Sequence, residues 1–101
     1  MSTSKPRQKE NHDLRGFNNV GKRIAWCREQ LGLTQRRVAE ETKISLANYA
    51  GREYGVRSIY HEEYLVLARF FNEKWTTRTY EGAEIEQVKV IWLMFGIFSE
   101  E

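Results

Sequence analysis

The chain has 101 residues, of which 41% are hydrophobic and 13% aromatic; this is enough apolar material for one small folded domain and excludes a wholly disordered chain. Its 16 basic and 14 acidic side chains leave a net charge of only +2, so bulk charge alone does not identify a nucleic-acid-binding protein. The longest apolar run, residues 90–98, is far short of the roughly 20 residues that cross a bilayer, and no secretory signal pattern is present. We therefore expect a soluble, cytoplasmic domain with no membrane segment.

The charge is divided unevenly along the chain. Residues 1–57 carry 12 basic and 6 acidic side chains, whereas residues 58–101 carry 4 basic and 8 acidic ones. Such an asymmetry favours a basic face for a polyanion, and chance segregation of surface charge is the alternative.

The residues that commonly hold metals or perform catalysis are sparse. The sequence contains one cysteine, Cys27, and two histidines, His12 and His61, which are too few ligands for a typical zinc site. Cys27 falls on an apolar stripe, so it is predicted to pack in the core, with redox sensing as the alternative. We find no phosphate-binding glycine loop, nucleophile elbow or catalytic carboxylate pair, and we expect no cofactor, no metal and no enzymatic activity.

The chain begins with a polar segment, residues 1–18, that carries Lys5, Arg7 and Lys9 and lacks hydrophobic periodicity. This pattern predicts a flexible basic tail. The tail is either a plain disordered terminus or a basic arm that contacts a polyanion.

Four helices are predicted in residues 19–72, over about residues 20–31, 35–42, 46–54 and 60–71. Thr34 and Ser45 are suitable N-caps for the second and third helices, and Gly32 and Gly55 are suitable stops for the first and third. Two short helices joined by a tight turn form a helix-turn-helix unit, in which the outer face of the second one is free to enter a DNA groove.

The last third, residues 73–101, is predicted as a C-terminal extension. Residues 75–82 form either a loop or a short extended piece. Apolar residues then recur at helical spacing from Ile85 up to a stop near Gly96, with a strand beginning near Val88 as the alternative. The residues with this spacing are Ile85, Val88, Ile91, Trp92 and Phe95. The apolar segment 91–98 either contributes to a dimer or closes the core over the fourth helix. The expected architecture is therefore all-α with five helices.

Short motifs at fixed spacings carry a resemblance to a known family. They are Gly21-Lys22-Arg23-Ile24, Cys27-Arg28-Glu29-Gln30, Gly32-Leu33-Thr34-Gln35, Val38-Ala39-Glu40, Ile44-Ser45, Glu53-x-Gly55-x-Arg57 and Leu67-Ala68, with Trp92-Leu93-x-Phe95-Gly96 near the C-terminus. Together they resemble the Cro/lambda-repressor type (XRE) of helix-turn-helix protein, closely over about residues 20–72 and loosely over residues 91–96. The resemblance implies five lambda-repressor-like helices, a homodimer and binding to operator DNA.

The resemblance also implies residue roles. Thr34 and Gln35 open the second helix, where the family contacts a phosphate, and the positive end of a helix gives a physical reason for that contact. Arg28 and Glu53 match a buried structural ion pair between the first and third helices. Arg57 matches a basic residue that holds backbone phosphate. The full set assigned to DNA is Thr34, Gln35, Arg36, Ser45, Leu46, Ala47, Asn48, Gly51, Arg52 and Arg57.

Several residues depart from the family's pattern. Leu46, Ala47 and Gly51 stand where base-reading polar side chains are common, so Leu46 and Ala47 offer only apolar contact, for instance to a thymine methyl. Sequence specificity then rests either on DNA shape or on the basic tail, which would follow a DNA groove as the arms of some helix-turn-helix proteins do. Arg52 replaces an apolar residue and either reaches a phosphate or covers the edge of the core. Lys43 replaces a turn glycine, which predicts a less favourable backbone conformation.

These observations predict a sequence-specific DNA-binding transcriptional regulator, a repressor of phage or mobile-element origin that binds double-stranded operator DNA as a homodimer. One alternative is an antitoxin-type autorepressor that also binds a toxin, with Glu81, Glu84 and Glu86 facing this protein partner. The other is a degenerate helix-turn-helix that serves as a protein-interaction module.

Overall fold

The computed structural model describes residues 20–56 and 58–97. Along them the elements are α1 (Val20–Gln30), α2 (Gln35–Thr42), α3 (Leu46–Tyr54), α4 (His61–Asn72), β1 (Arg78–Tyr80), β2 (Ala83–Ile85) and α5 (Val90–Phe95). The first four helices begin and end within one residue of the predicted positions. The tail predicted for residues 1–18 lies outside the described residues.

Local hydrogen bonds determine where α2 and α3 begin. The Thr34 hydroxyl accepts from the amide of Arg37 at 3.0 Å, and the Ser45 hydroxyl accepts from the amide of Asn48 at 3.1 Å. Each bond satisfies one of the amides that a helix N-terminus otherwise leaves without a partner. Gly55 ends α3 in the left-handed conformation, with φ 81°.

The turn between α2 and α3 requires a conformation that favours glycine, but a lysine stands there. Lys43 has φ 66° and ψ 24°, and its backbone N–H donates to the carbonyl of Ala39. A side chain in this left-handed region costs about 1 kcal/mol. The unfavourable conformation predicted from the sequence is therefore present at Lys43.

The core lies between α1, α2, α3 and α4. From α1 it takes the apolar stripe that ends in Cys27, which is fully buried. Burial raises the pKa of the Cys27 thiol, so the side chain packs as a neutral apolar group. The buried apolar residues of these helices are Val20, Ile24, Cys27, Val38, Ala39, Tyr49, Tyr64, Leu67, Ala68, Phe70 and Phe71.

The N-terminus of α1 approaches the end of α3 so closely that only glycine fits between them. A Cβ built at Gly21 would overlap the backbone carbonyl oxygen of Glu53 and would lie 2.7 Å from that of Arg52. Backbone atoms at a helix end have little room to yield, so Gly21 sets the distance between the two helices.

The five predicted helices are present, but the expectation of an all-α chain is wrong in one region, because residues 78–85 form a two-stranded β-hairpin. Strands β1 and β2 pair antiparallel, with Tyr80 opposite Ala83. Glu81 and Gly82 have φ 50° and 87°, which is the combination a two-residue type I′ turn requires. The extended alternative for residues 75–82 thus describes this region better than the loop.

The predicted start of the last helix is wrong for the same reason. Ile85 lies in β2, and Val88 precedes α5, although both side chains are buried as a helical stripe would require. The helical period therefore identified inward-facing residues that belong to a strand and an extended connection. The alternative strand near Val88 is absent from the described residues too.

Polar and aromatic contacts dock the hairpin on the helices. The side-chain amide of Asn72 donates to the carbonyl of Val88 at 2.8 Å and accepts from its N–H at 2.7 Å. Trp75 donates its indole N–H to the carbonyl of Ile85 at 2.9 Å. Trp26 contacts a ring cluster edge-on, at centroid distances between 4.8 and 5.9 Å; its members are Trp75, Tyr80 and Trp92.

Helix α5 divides the apolar segment 91–98 into a buried part and an exposed part. Trp92 and Leu93 are buried against the rest of the chain, whereas Phe95 and Ile97 are 38% and 47% exposed. Arg23 of α1 donates to the carbonyls of Leu93 and Met94, each at 3.0 Å. Within the described residues 91–97, the segment thus closes the core through Trp92 and Leu93, while Phe95 and Ile97 are partly exposed.

Substitution of Gly21 by Ala tests the close approach of α1 to α3. We expect Gly21→Ala to lower the free energy of unfolding by about 3 kcal/mol, because the new Cβ must push α1 away from the end of α3. Urea unfolding followed by tryptophan fluorescence measures the loss. Lys22→Ala, at the exposed neighbouring position, is the control and should change stability little. A Gly21→Ala variant as stable as the control would contradict the close approach.

Candidate nucleic-acid interface

The first turn of α2 is exposed and leaves backbone donors free. Thr34 and Arg36 are exposed, and the Thr34 hydroxyl is already occupied by Arg37. The first intrahelical bond joins the amide of Val38 to the carbonyl of Thr34. Among the described residues nothing accepts from the amides of Gln35 and Arg36, so both remain available to an external acceptor such as a phosphate.

The first turn of α3 lies next in the chain and is largely apolar. Ser45 and Ala47 are exposed, whereas Leu46 and Asn48 are half-buried. Leu46 also packs against the edge of the core. Asn48 is the one side-chain amide here, and its side chain makes no hydrogen bond to another described residue.

The electrostatics of this region favour an anion. Neither α2 nor α3 has an acidic residue in its first turn, whereas α4 begins with Glu62 and Glu63. No acidic side chain in the first turn of α2 or α3 therefore neutralises the partial positive charge at its N-terminus. Arg36 and Lys43 are exposed and have no ion-pair partner in residues 20–56 and 58–97. We call Thr34, Arg36, Lys43, Ser45, Ala47 and Asn48 the α2–α3 surface.

Arg28 and Glu53, the pair implied by the resemblance, are in direct contact. Arg28 Nε donates to Glu53 Oε2 at 2.6 Å, and Arg28 Nη2 donates to Glu53 Oε1 at 3.1 Å. A third donor is Gln35 Nε2, which lies 2.8 Å from Glu53 Oε1. Arg28 Nη1 also donates to the carbonyl of Leu33 in the α1–α2 connection. The side chain of Gln35, expected to contact DNA, is thus engaged inside the domain.

This pairing keeps the Glu53 carboxylate ionised in a buried place. Burial by itself disfavours the charge, but the hydrogen bonds from Arg28 and Gln35 outweigh burial and hold the pKa of Glu53 below its usual value. The same contact raises the pKa of Arg28. Burial and the nearby Glu53 carboxylate raise the pKa of Tyr49, which packs beside the pair. Glu53 is therefore ionised in the folded chain.

Two of the residues expected at the DNA face lie elsewhere. Gly51 and Arg52, both assigned to DNA from the sequence, are buried. For Arg52 this fits the alternative in which the side chain covers the edge of the core. Arg52 donates to both carboxylate oxygens of Glu63, from Nε at 2.7 Å and from Nη2 at 2.8 Å. Its Nη1 donates to the carbonyl of Asn48 at 3.1 Å. Arg57 lies outside the described residues.

Glu63 is the site residue that sequence reasoning missed, because an acidic residue in a first helical turn is fully explained by the helix dipole. It accepts from the amide of Tyr60 at 3.1 Å in addition to Arg52. These donors outweigh the effect of burial and lower the pKa of the Glu63 carboxylate. The sequence did contain one signal for this pair, namely an arginine at position 52, where the family commonly has an apolar residue. A buried arginine at that position requires an acidic partner.

The part of the chain that the structure describes contains no group of His, Cys, Asp and Glu side chains suited to a metal ion. Within the same residues, no helix has both the length and the apolar character needed to span a membrane.

The fold and the α2–α3 surface define a helix-turn-helix DNA-binding domain. A helix-turn-helix family model matches residues 24–76, which is more than half of the chain. The chain belongs to this family, of the Cro/lambda-repressor type, whose domains are DNA-binding and regulatory rather than enzymatic. Comparison with curated proteins gave no match, and comparison with solved structures gave none either. The match confirms the family resemblance and ends just before the hairpin.

The lowered pKa values of Glu53 and Glu63 predict a loss of stability in acid. As the pH falls, the unfolded chain takes up protons at these carboxylates near the ordinary glutamate pKa of about 4.3, before the folded chain does. The free energy of unfolding should therefore be highest above about pH 5 and decrease as the pH falls through the lower pKa values of the folded state. Urea unfolding between neutral and acidic pH measures this dependence.

A Glu53→Gln variant assigns part of that dependence to one carboxylate. It should lose roughly 2–4 kcal/mol at neutral pH, because Arg28 keeps a buried charge without its counter-charge. Its difference from the wild-type chain should shrink in acid. Glu40→Gln changes an exposed glutamate and is the control. Parallel pH curves for Glu53→Gln and the wild-type chain would contradict the assignment.

Proposed function

We propose that the chain is a transcriptional repressor that binds a specific operator in double-stranded DNA as a homodimer, with α3 in the major groove. The observation that carries the proposal is the α2–α3 surface. The first two amides of each of these capped helices have no acceptor among the described residues, and neither first turn contains an acidic residue. Membership in the family supports the same assignment. A bound repressor acts by occupying DNA that the transcription machinery requires. The proposal places this repressor in the cytoplasm.

Phosphate contacts supply most of the affinity in this proposal. The free amides at the start of α2 meet one phosphate, with Thr34 and Arg36 beside it. Lys43 and Arg57 add side-chain contacts to the backbone. Because these contacts displace counterions, binding should weaken steeply as the salt concentration rises.

Base recognition in the proposal is mainly apolar. Ala47 is exposed and Leu46 is half-buried at the start of α3, and neither side chain can form a hydrogen bond. The complementary feature of a base pair in the major groove is the 5-methyl group of thymine. Asn48 supplies the only amide, and DNA shape contributes where no side chain reaches a base.

The homodimer in the proposal uses the exposed part of the C-terminal segment. Phe95 and Ile97 are exposed apolar side chains next to a buried helix face. A two-fold axis near α5 buries them against the same residues of a second copy. The two α3 helices then meet successive major grooves about 34 Å apart on a near-palindromic site.

Fluorescence anisotropy tests the proposed function. DNA from the region upstream of the chain's own coding sequence is compared with a scrambled duplex at several salt concentrations. We expect preferential binding of the upstream DNA and a steep loss of affinity in salt. Absence of binding to either duplex at low salt would overturn the proposal and favour the protein-interaction module.

An Arg36→Ala variant tests the phosphate contacts. We expect weaker binding to all sequences alike and a salt dependence reduced by about one counterion, because Arg36 faces the backbone and not a base. The control is Arg37→Ala, which removes the same charge one residue away but from an arginine that Glu41 already pairs at 2.7 Å. Equal salt slopes for wild-type chain and Arg36→Ala would contradict the contact.

Replacement of thymine by deoxyuridine tests the apolar readout. Removal of one contacted methyl group should weaken binding of the wild-type chain by about 1 kcal/mol, because the substitution deletes the apolar partner and keeps the base pair. A Leu46→Ala or Ala47→Gly variant should respond less to the same replacement. Anisotropy titrations of a thymine-by-thymine series measure the effect. A wild-type chain indifferent to every replacement would exclude methyl recognition.

A further inference from the structure

Two adjacent residues of α3 carry opposite charges, and each is buried and paired with a different helix. Glu53 meets Arg28 of α1, while Arg52 meets Glu63 of α4. Arg52 is 4% exposed, and its guanidinium also bonds the carbonyl of Asn48 one turn earlier in α3. Its charged group lies 6.0 Å from the ring centre of Tyr60.

The pair between Arg52 and Glu63 joins α3 to α4. Helix α3 packs closely against α1 and α2, whereas the backbones of α3 and α4 approach each other only sparsely. Glu63 in turn accepts from the amide of Tyr60, so it joins α3, the start of α4 and the end of the connection between them. The connection after Gly55 carries Arg57, which the proposed function assigns to phosphate.

Stability alone does not account for such a pair. Desolvation of two charges offsets most of their attraction, and apolar side chains of similar size commonly serve as well or better. What a bidentate pair adds is a fixed geometry, because the planar guanidinium accepts the carboxylate in one orientation.

We propose that Glu63 is a positioning residue for DNA binding: through Arg52 it holds α3 in one orientation, so that the base-facing groups of α3 and the phosphate-facing groups of α2 meet DNA together. Glu63 itself touches no DNA. The inference rests on the proposed function, since it concerns how the same surface is held.

The charge of Glu63 makes the proposal sharply testable. A Glu63→Gln variant gains one unit of positive charge, so electrostatics alone predicts tighter DNA binding and a steeper salt dependence. Loss of positioning predicts the opposite sign, because one Arg52 hydrogen bond disappears and the orientation of α3 loosens. Glutamine retains an oxygen that can accept from the amide of Tyr60, so the start of α4 keeps its cap.

The experiment compares full-length variants on a duplex of about 20 base pairs chosen by in vitro selection with the wild-type chain. Circular dichroism first confirms that each variant is folded under the assay conditions. Glu63→Gln should bind about tenfold more weakly than the wild-type chain. The matched control is Glu62→Gln, the exposed neighbour with the same charge change, which should bind equally well or slightly tighter.

A double variant separates contact from charge. Arg52→Met with Glu63→Leu replaces the ion pair by an apolar contact and should restore binding to within about threefold of the wild-type chain. If Glu63→Gln does not fold, this double variant decides the question. Weak binding by the folded double variant overturns positioning, and so does a Glu63→Gln variant that binds as tightly as Glu62→Gln. A wild-type chain that selects and binds no DNA overturns the proposed function itself.

Discussion

The buried carboxylate of Glu53 is the interaction on which the arrangement of the first three helices depends. It is an ionised group in the interior, and it is tolerated because Arg28 and Gln35 supply three donors between 2.6 and 3.1 Å. Those donors come from α1 and from the first residue of α2, while the carboxylate belongs to α3. The three helices must therefore meet in one geometry, and the first turn of α2 is held beside the end of α3 as a consequence.

The other buried charges extend this framework to the rest of the domain. Arg52 ties α3 to α4 through Glu63, and Arg23 ties α1 to the last carbonyls of α5. The end of a helix carries partial negative charge, which favours the guanidinium of Arg23 beside the last carbonyls of α5. Internal contacts thus engage the inner face of α3 completely. The start of its outer face, at Ala47, has no such structural role and is free to meet a ligand.

Much of the fold was predictable because its determinants are local. The caps at Thr34 and Ser45 act over three residues, so a short stretch of sequence contains the whole signal. The hairpin was missed since Ile85 and Val88 repeat at a helical spacing while their backbone is extended; only the positive φ at Glu81 and Gly82 separates the two cases. Tertiary packing overrides periodicity there. The residues assigned to DNA were chosen by their position in the motif, but the orientation of Arg52 could not be predicted in this way, because it depends on a partner eleven residues away.

The same contacts change how the uneven charge of the sequence is interpreted. Residues 1–57 carry a large basic excess. Inside the domain, however, Arg23 donates to backbone carbonyls, and Arg28 and Arg52 form ion pairs with carboxylates. On the α2–α3 surface, the cations that remain are Arg36 and Lys43. Attraction of DNA by the described residues therefore relies on few side-chain charges. Under the proposed function, the free amides at the N-termini of α2 and α3 contribute a correspondingly large share, and the buried charges maintain their alignment. Under the proposed function, the charges inside the domain act on DNA by orienting the groups outside.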